Sequence, residues 1–380
     1  MTRRSGSTVV SVTCATALVL WAGLAQAGAP AAPPEGGGGP HEPEHQIAQL
    51  GAFTFESGAI VPDLRISYVT HGNLNENEDN IILVMQHFMG DHHDLDFLIG
   101  PGKALDTDKY FVVATDCISN ARLRQDVSTG PTNSGLKMNF PTVTMLDSVN
   151  AEVKLLTEYL AFDHIFAAIG SSMGAQKGYQ LAVSYPDFVD GIVAIAGGPS
   201  TNFQIRTQAR SMRDIIALDS GWYSGNYQQN PVMGVNTALM NFVPWLYGYP
   251  WFGENITSDE ADADFGAFWN AIWTQHWPQD ARDIYYQLET WGEFSVGDTP
   301  GFAGNVASAL ASIKAQVLMI GATHDMMVRP EEYIIAMEAI PNATYIELDS
   351  PAGHLICCGF DPEATEIMDR EVAKFLSRLR

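Results

Sequence analysis

Positive charge is scarce in this chain: 20 Lys and Arg stand against 44 Asp and Glu in 380 residues, a formal net charge of −24. A surface of that sign repels phosphate backbones and anionic lipid headgroups. No nucleic acid or membrane-surface partner is expected, and the charge reads mainly as solubility. Cysteine is rare too, four in all, which excludes a disulfide-dense miniprotein. The cysteines show no zinc-type spacing, no internal repeat is visible, and the glycines at 36–39 lack the following Lys and helix of a phosphate loop. What remains is 46% hydrophobic and 17% charged, a globular composition long enough to bury a sizeable core. No cofactor is expected.

The first residues read as an export signal. Arg3 and Arg4 precede an apolar stretch at 9–24, and Ala25-Gln26-Ala27 forms a small-x-small cleavage site. Ser11, Thr13 and Thr16 interrupt the stretch, against a retained anchor. Most of the apolar run follows Cys14 instead of preceding it, against a lipid-modified cysteine. Loss of Arg3 and Arg4 takes the net charge from −24 to −26. The expected organisation is a signal peptide at 1–27, a Pro/Gly-rich linker at 28–46, a core formed by 47–200 and 306–380, and a lid at 201–305. The mature protein is expected in the periplasm or outside the cell, free of membrane. It then holds Cys117, Cys357 and Cys358, an odd number that allows at most one bridge.

From residue 47 onward, short β-branched runs alternate with amphipathic helix-length segments. Residues 53–69 read as an antiparallel hairpin turning at Ser57-Gly58. The runs at 80–86 (NIILVMQ) and 110–115 (YFVVAT) are continuously apolar, as strands covered on both faces are. A helix is predicted over 147–160, where Val149, Val153, Leu156 and Leu160 share one face. Strands at 165–169, 191–196, 316–320 and 344–348 and helices at 173–185, 330–339 and 362–379 continue the rhythm. The fold class is therefore α/β, a doubly wound, mainly parallel sheet. Residues 201–305 interrupt it with seven of the eight tryptophans, which predicts a helical, aromatic-rich lid.

Chemistry concentrates at three predicted strand ends. Gly170-Ser171-Ser172-Met173-Gly174 is a G-x-S-x-G pattern between an apolar strand and a helix, the setting that presents a nucleophilic serine on a strained turn. A serine hydroxyl needs a base and a carboxylate that orients the base. Asp325 follows the strand at 316–320 and His354 follows the strand at 344–348, in the order acid then histidine. Asp349 and His324 are their nearest competitors. An oxyanion hole needs two backbone N–H groups, one expected from Met173 and the other from 87–90, foremost Phe88. The neighbouring Asp91-His92-His93-Asp94 and Asp96 read as a polar loop bordering the cleft. Adjacent histidines splay apart unless the backbone is irregular, so no metal is expected there. Cys117 lies at the same sheet edge as Cys357 and Cys358, which leaves both a bridge and buried thiols open.

Residues 98–112 (LIGPGKALDTDKYFV), Ser128-Thr129-Gly130-Pro131, Phe140-Pro141 and the serine turn together resemble homoserine O-acetyltransferases of the α/β-hydrolase superfamily. Arg213-Asp214-Ile215-Ile216 with Asp219, Trp222, Gly225 and Tyr227 continues the likeness. The resemblance implies an α/β-hydrolase core with a helical lid, the triad Ser172, Asp325 and His354, and often a homodimer. Three departures touch the acceptor side. Ala175 follows Gly174 where a second glycine is usual, Asn150 replaces an arginine, and residues 235–242 offer no cation. Arg213 remains, open to two roles: binding a substrate carboxylate or making a salt bridge within the lid. Exported protein would also lack acetyl-CoA. The expected function is therefore an exported serine hydrolase acting on an ester or related acyl bond of a small-molecule or acyl-bearing substrate. The alternative is a homoserine-type O-acetyltransferase using the same triad.

Overall fold

In the computed structural model, which describes residues 44–123, 126–255 and 279–379, the apolar runs become one eight-stranded sheet. Its strands are β1 (Gln46–Thr54), β2 (Ile60–His71), β3 (Ile81–Met85), β4 (Phe111–Thr115), β5 (Ile165–Ser171), β6 (Val189–Ile195), β7 (Gln316–Ala322) and β8 (Ala343–Leu348). They lie in the order β1-β2-β4-β3-β5-β6-β7-β8. β1 and β2 form the antiparallel hairpin, β2 meets β4 antiparallel, and every pairing from β4 to β8 is parallel. All residues of β3 and β5 are buried, which is why those stretches are continuously apolar instead of alternating.

The helices are α1 (Met145–Lys154), α2 (Met173–Ser184), α3 (Phe203–Leu218), α4 (Val232–Phe242), α5 (Tyr249–Asn255), α6 (Ala281–Gly292), α7 (Val306–Ala311), α8 (Pro330–Ala339) and α9 (Pro362–Leu376). Sequence capping fixes several starts: the side chains of Thr144, Asn202, Asp280, Asn305 and Asp361 each accept a first-turn N–H. The helix expected over 147–160 is instead α1 followed by a π-helical turn at Leu155–Tyr159.

Chain order reverses beside β3, with β4 on one side and β5 on the other. A crevice at the strand C-termini belongs at such a reversal. The insertion between β6 and β7 packs α3 against α4 and α6. Its two ends are stitched together, since Thr201 N–H donates to Phe294 O at 2.8 Å and Val296 N–H donates to Pro199 O at 3.0 Å. The signal-peptide expectation and most of the linker lie outside the described residues, as do lid residues 256–278. The linker does not reach residue 46: Gln46 already pairs with Tyr68 in β1. Cys117, Cys357 and Cys358 are buried free thiols, and the near neighbours are Cys357 and Cys358, with sulfurs 3.2 Å apart. Burial pushes the Cys117 thiol up to about 12. Among the described residues, no helix is long and apolar enough to cross a membrane.

Candidate active site

The turn between β5 and α2 holds Ser172 at φ 52° and ψ −115°, a strained conformation for a residue with a side chain. Two close approaches enforce it. A Cβ on Gly170 would lie 2.2 Å from the Gly174 backbone, and one on Gly174 would lie 2.2 Å from Met85 O at the end of β3. The two glycines of the motif therefore let helix and strands meet at a distance no side chain allows. Ser172 N–H donates to Ile195 O at 2.7 Å, tying the turn to β6. Ala175 finds its room because residue 197 is glycine, where a Cβ would sit 2.6 Å from the Ala175 methyl.

Three loops then converge. Ser172 Oγ–H donates to His354 Nε2 at 2.8 Å, and His354 Nδ1–H donates to Asp325 Oδ2 at 2.8 Å. The other oxygen of Asp325 accepts Met327 N–H at 2.7 Å and Val328 N–H at 3.0 Å, which fixes the carboxylate. All three side chains are buried. Of the competitors, Asp349 and His324 lie 3.8 Å from each other, outside this chain.

The loop after β3 is tied at nearly every amide. Asp94 Oδ2 accepts His87 N–H at 2.8 Å and its Oδ1 accepts Asp91 N–H at 3.0 Å. Met89, at φ 66°, donates its N–H to Gln287 Oε1 at 3.0 Å, and Gly90 N–H donates to His87 O at 3.2 Å. The Phe88 N–H makes no hydrogen bond among the described residues, and the Met173 N–H opens α2 without an acceptor. Burial of His87 would lower its pKa, but Asp94 and Cys358 outweigh that and push it up to about 10.

The lid reaches this loop with aromatics. Trp291 stacks on Phe88 with centroids 5.1 Å apart, and Phe242 meets both rings edge-on. Gly248 N–H donates to Pro351 O at 3.1 Å, so the lid also touches the loop that carries His354. Arg213 lies 3.4 Å from Glu289 and stacks over Tyr285 at 4.3 Å, an ion pair within the lid. Asn150 accepts Tyr185 O–H at 2.7 Å.

Sequence reasoning missed two buried charged features. Lys177, one turn after Ser172, donates to Glu152 at 2.6 Å, and Thr115 O–H donates to the same carboxylate oxygen at 2.9 Å. Arg282 lies over the Tyr227 ring at 3.9 Å, so the lid is not without a buried cation. A Lys or Arg within a helical pattern carries no local sign of burial. The loop Asp91–Asp94 also differs from expectation. Its irregular backbone holds the His92 and His93 rings 4.5 Å apart, beside His45.

Comparison with known proteins extends this geometry. Residues 83–358 match the family model described as the alpha/beta hydrolase fold. A homoserine O-acetyltransferase of Methanohalobium evestigatum is 32% identical over 339 residues, 80% of this chain and 67% of that protein. An ethyl acetate hydrolase of Pseudomonas veronii is 28% identical over 338 residues, 87% of this chain and 95% of that protein. The chain spans only 66% of the length of the relative in Methanosalsum zhilinae, another homoserine O-acetyltransferase. The solved acetyl esterase MekB superposes with a TM-score of 0.81 at 26% identity, covering 88% of this chain and 97% of MekB.

Proposed function

Because the chain belongs to the α/β-hydrolase family, in the branch it shares with homoserine O-acetyltransferases, we propose that it is an exported hydrolase of short-chain carboxylic esters. The hydrogen-bonded line Ser172–His354–Asp325 carries the reading. His354 takes the Ser172 proton as Oγ attacks the ester carbonyl, and Asp325 keeps the imidazole in the tautomer that can accept it. The oxyanion develops against the Phe88 and Met173 N–H groups, whose lack of other acceptors supports that role. Collapse expels the alcohol, which takes the proton from His354 and leaves an acyl-serine. A water deprotonated by His354 then attacks the acyl carbon and releases the acid and free Ser172.

Water is favoured as acceptor because Arg213 is engaged by Glu289. The likeness to an ethyl acetate hydrolase across nearly all of that protein's length supports the same choice. Phe242 and Trp291 pack on Phe88 of the oxyanion loop, apolar surroundings that suit a small apolar acyl group. Export rests on the pattern at 1–27.

The test compares turnover of ethyl acetate and a short nitrophenyl ester with coenzyme A release from acetyl-CoA, each with and without homoserine. Ester turnover indifferent to homoserine, without coenzyme A release, is expected. Homoserine-dependent coenzyme A release would replace this reading with the transferase one. Ser172→Ala is expected to lower kcat by about 10⁴-fold or more while leaving the circular dichroism unchanged.

A further inference from the structure

His45, just ahead of β1, meets His92 and His93 of the loop after β3. His45 Nε2 lies 3.0 Å from His93 Nε2 and 3.3 Å from His92 Nε2, and one ring nitrogen of each histidine lies within 4.8 Å of the others. Each ring is held from behind by a carboxylate. His45 Nδ1 is 2.6 Å from Asp126 Oδ2, His92 Nδ1 is 2.8 Å from Asp116 Oδ1, and His93 Nδ1 is 2.9 Å from Asp96 Oδ2.

An ionised carboxylate only accepts, so each Nδ1 carries a hydrogen and each neutral ring turns its Nε2 lone pair inward. Nε2 lone pairs gathered around one point suit a shared cation. A four-coordinate ion bound at about 2.0–2.1 Å to nitrogen holds its ligands about 3.3–3.4 Å apart, near the Nε2 separations of 3.0 and 3.3 Å. Carboxylates on the far nitrogens are the usual outer support of metal-binding imidazoles. From these contacts we propose that His45, His92 and His93 form a binding site for a borderline divalent cation of the zinc class.

Imidazole donors suit zinc, copper, nickel and cobalt, and a ligand set made of imidazoles among the described residues disfavours magnesium and calcium. Three protein ligands leave a fourth position for water. The ion ties the start of β1 to the loop that carries Phe88, four residues before His92. Its role is to clip the structure together, and it takes no part in acyl transfer.

The test uses the full chain without a histidine tag, stripped with chelator and then titrated with zinc. Elemental analysis is expected to find one zinc per chain, and zinc to raise Tm. His45→Ala and His93→Ala are each expected to cut occupancy more than tenfold. Asp96→Asn, at a partly exposed support, is expected to weaken zinc binding about 10–100-fold. Ser172→Ala and His164→Ala retain full occupancy. Cobalt in place of zinc is expected to give the strong visible bands of a four-coordinate ion. If His93→Ala does not fold, His45→Ala, which alters the start of the sheet only at its edge, decides. Substoichiometric zinc with no change in Tm, or equal zinc binding by His45→Ala, would overturn the proposal.

Discussion

At the scale of single residues, burial decides more than identity. Asp283 is buried, and burial first, then the charge of Asp280, pushes its carboxyl well above the usual range. It therefore keeps its proton in the folded chain at pH values where the unfolded chain has lost it. Stability falls as pH rises from the ordinary carboxylate value towards the raised one, at about 1.4 kcal/mol per pH unit for this group. Asp283→Asn removes that slope, so urea unfolding should find the variant gaining on the wild type as pH rises above the ordinary carboxylate value. A stability difference that does not change with rising pH would contradict the raised carboxyl. Nothing in Asp280-Ala281-Arg282-Asp283 announces this. The crowding comes from Gly130, far off in sequence, where a Cβ would lie 2.2 Å from Asp283 Oδ1. Lys177 and Glu152 were equally hidden, because a sequence names charged residues and only the tertiary fold pairs them.

At the scale of elements, close approach is the controlling quantity. Gly174→Ala puts a methyl against the Met85 and Gln86 carbonyls, backbone atoms that cannot swing aside. The expected cost is about 1–3 kcal/mol in urea unfolding, with a fall in kcat as the end of β3 is displaced from the Ser172 turn. A variant with unchanged stability and kcat would mean that the helix can shift without disturbing the turn. The strands and the three converging loops were legible because apolar runs and turn residues are local signals, and the order of serine, acid and histidine follows the sheet. Phe88 was legible as the loop after β3, but its free N–H depends on Asp94 and Gln287 occupying its neighbours. His45 was not legible at all: it sits at the end of a Pro/Gly-rich stretch, and only the β1–β2 hairpin carries it to His92 and His93.

For the molecule as a whole, the imbalance of 44 acids over 20 bases sets the response to salt. Self-repulsion weakens the folded state most when screening is long-ranged. Raising ionic strength from about 0.01 M to 0.15 M shortens the screening length from roughly 30 Å to 8 Å. Tm, followed by calorimetry, should therefore rise over that interval; a fall would mean that attractive surface pairs outweigh the net charge.

The lid leaves the sheet and returns to it at one place, where Thr201 and Val296 hydrogen-bond across its two ends to Phe294 and Pro199. An insertion closed at its own neck joins the sheet through two adjacent chain ends, so its length can change without re-threading the strands beneath. The cover over the strand ends is thus one continuous stretch of gene, whose sequence can diverge while the strands that hold serine, acid and histidine keep their order.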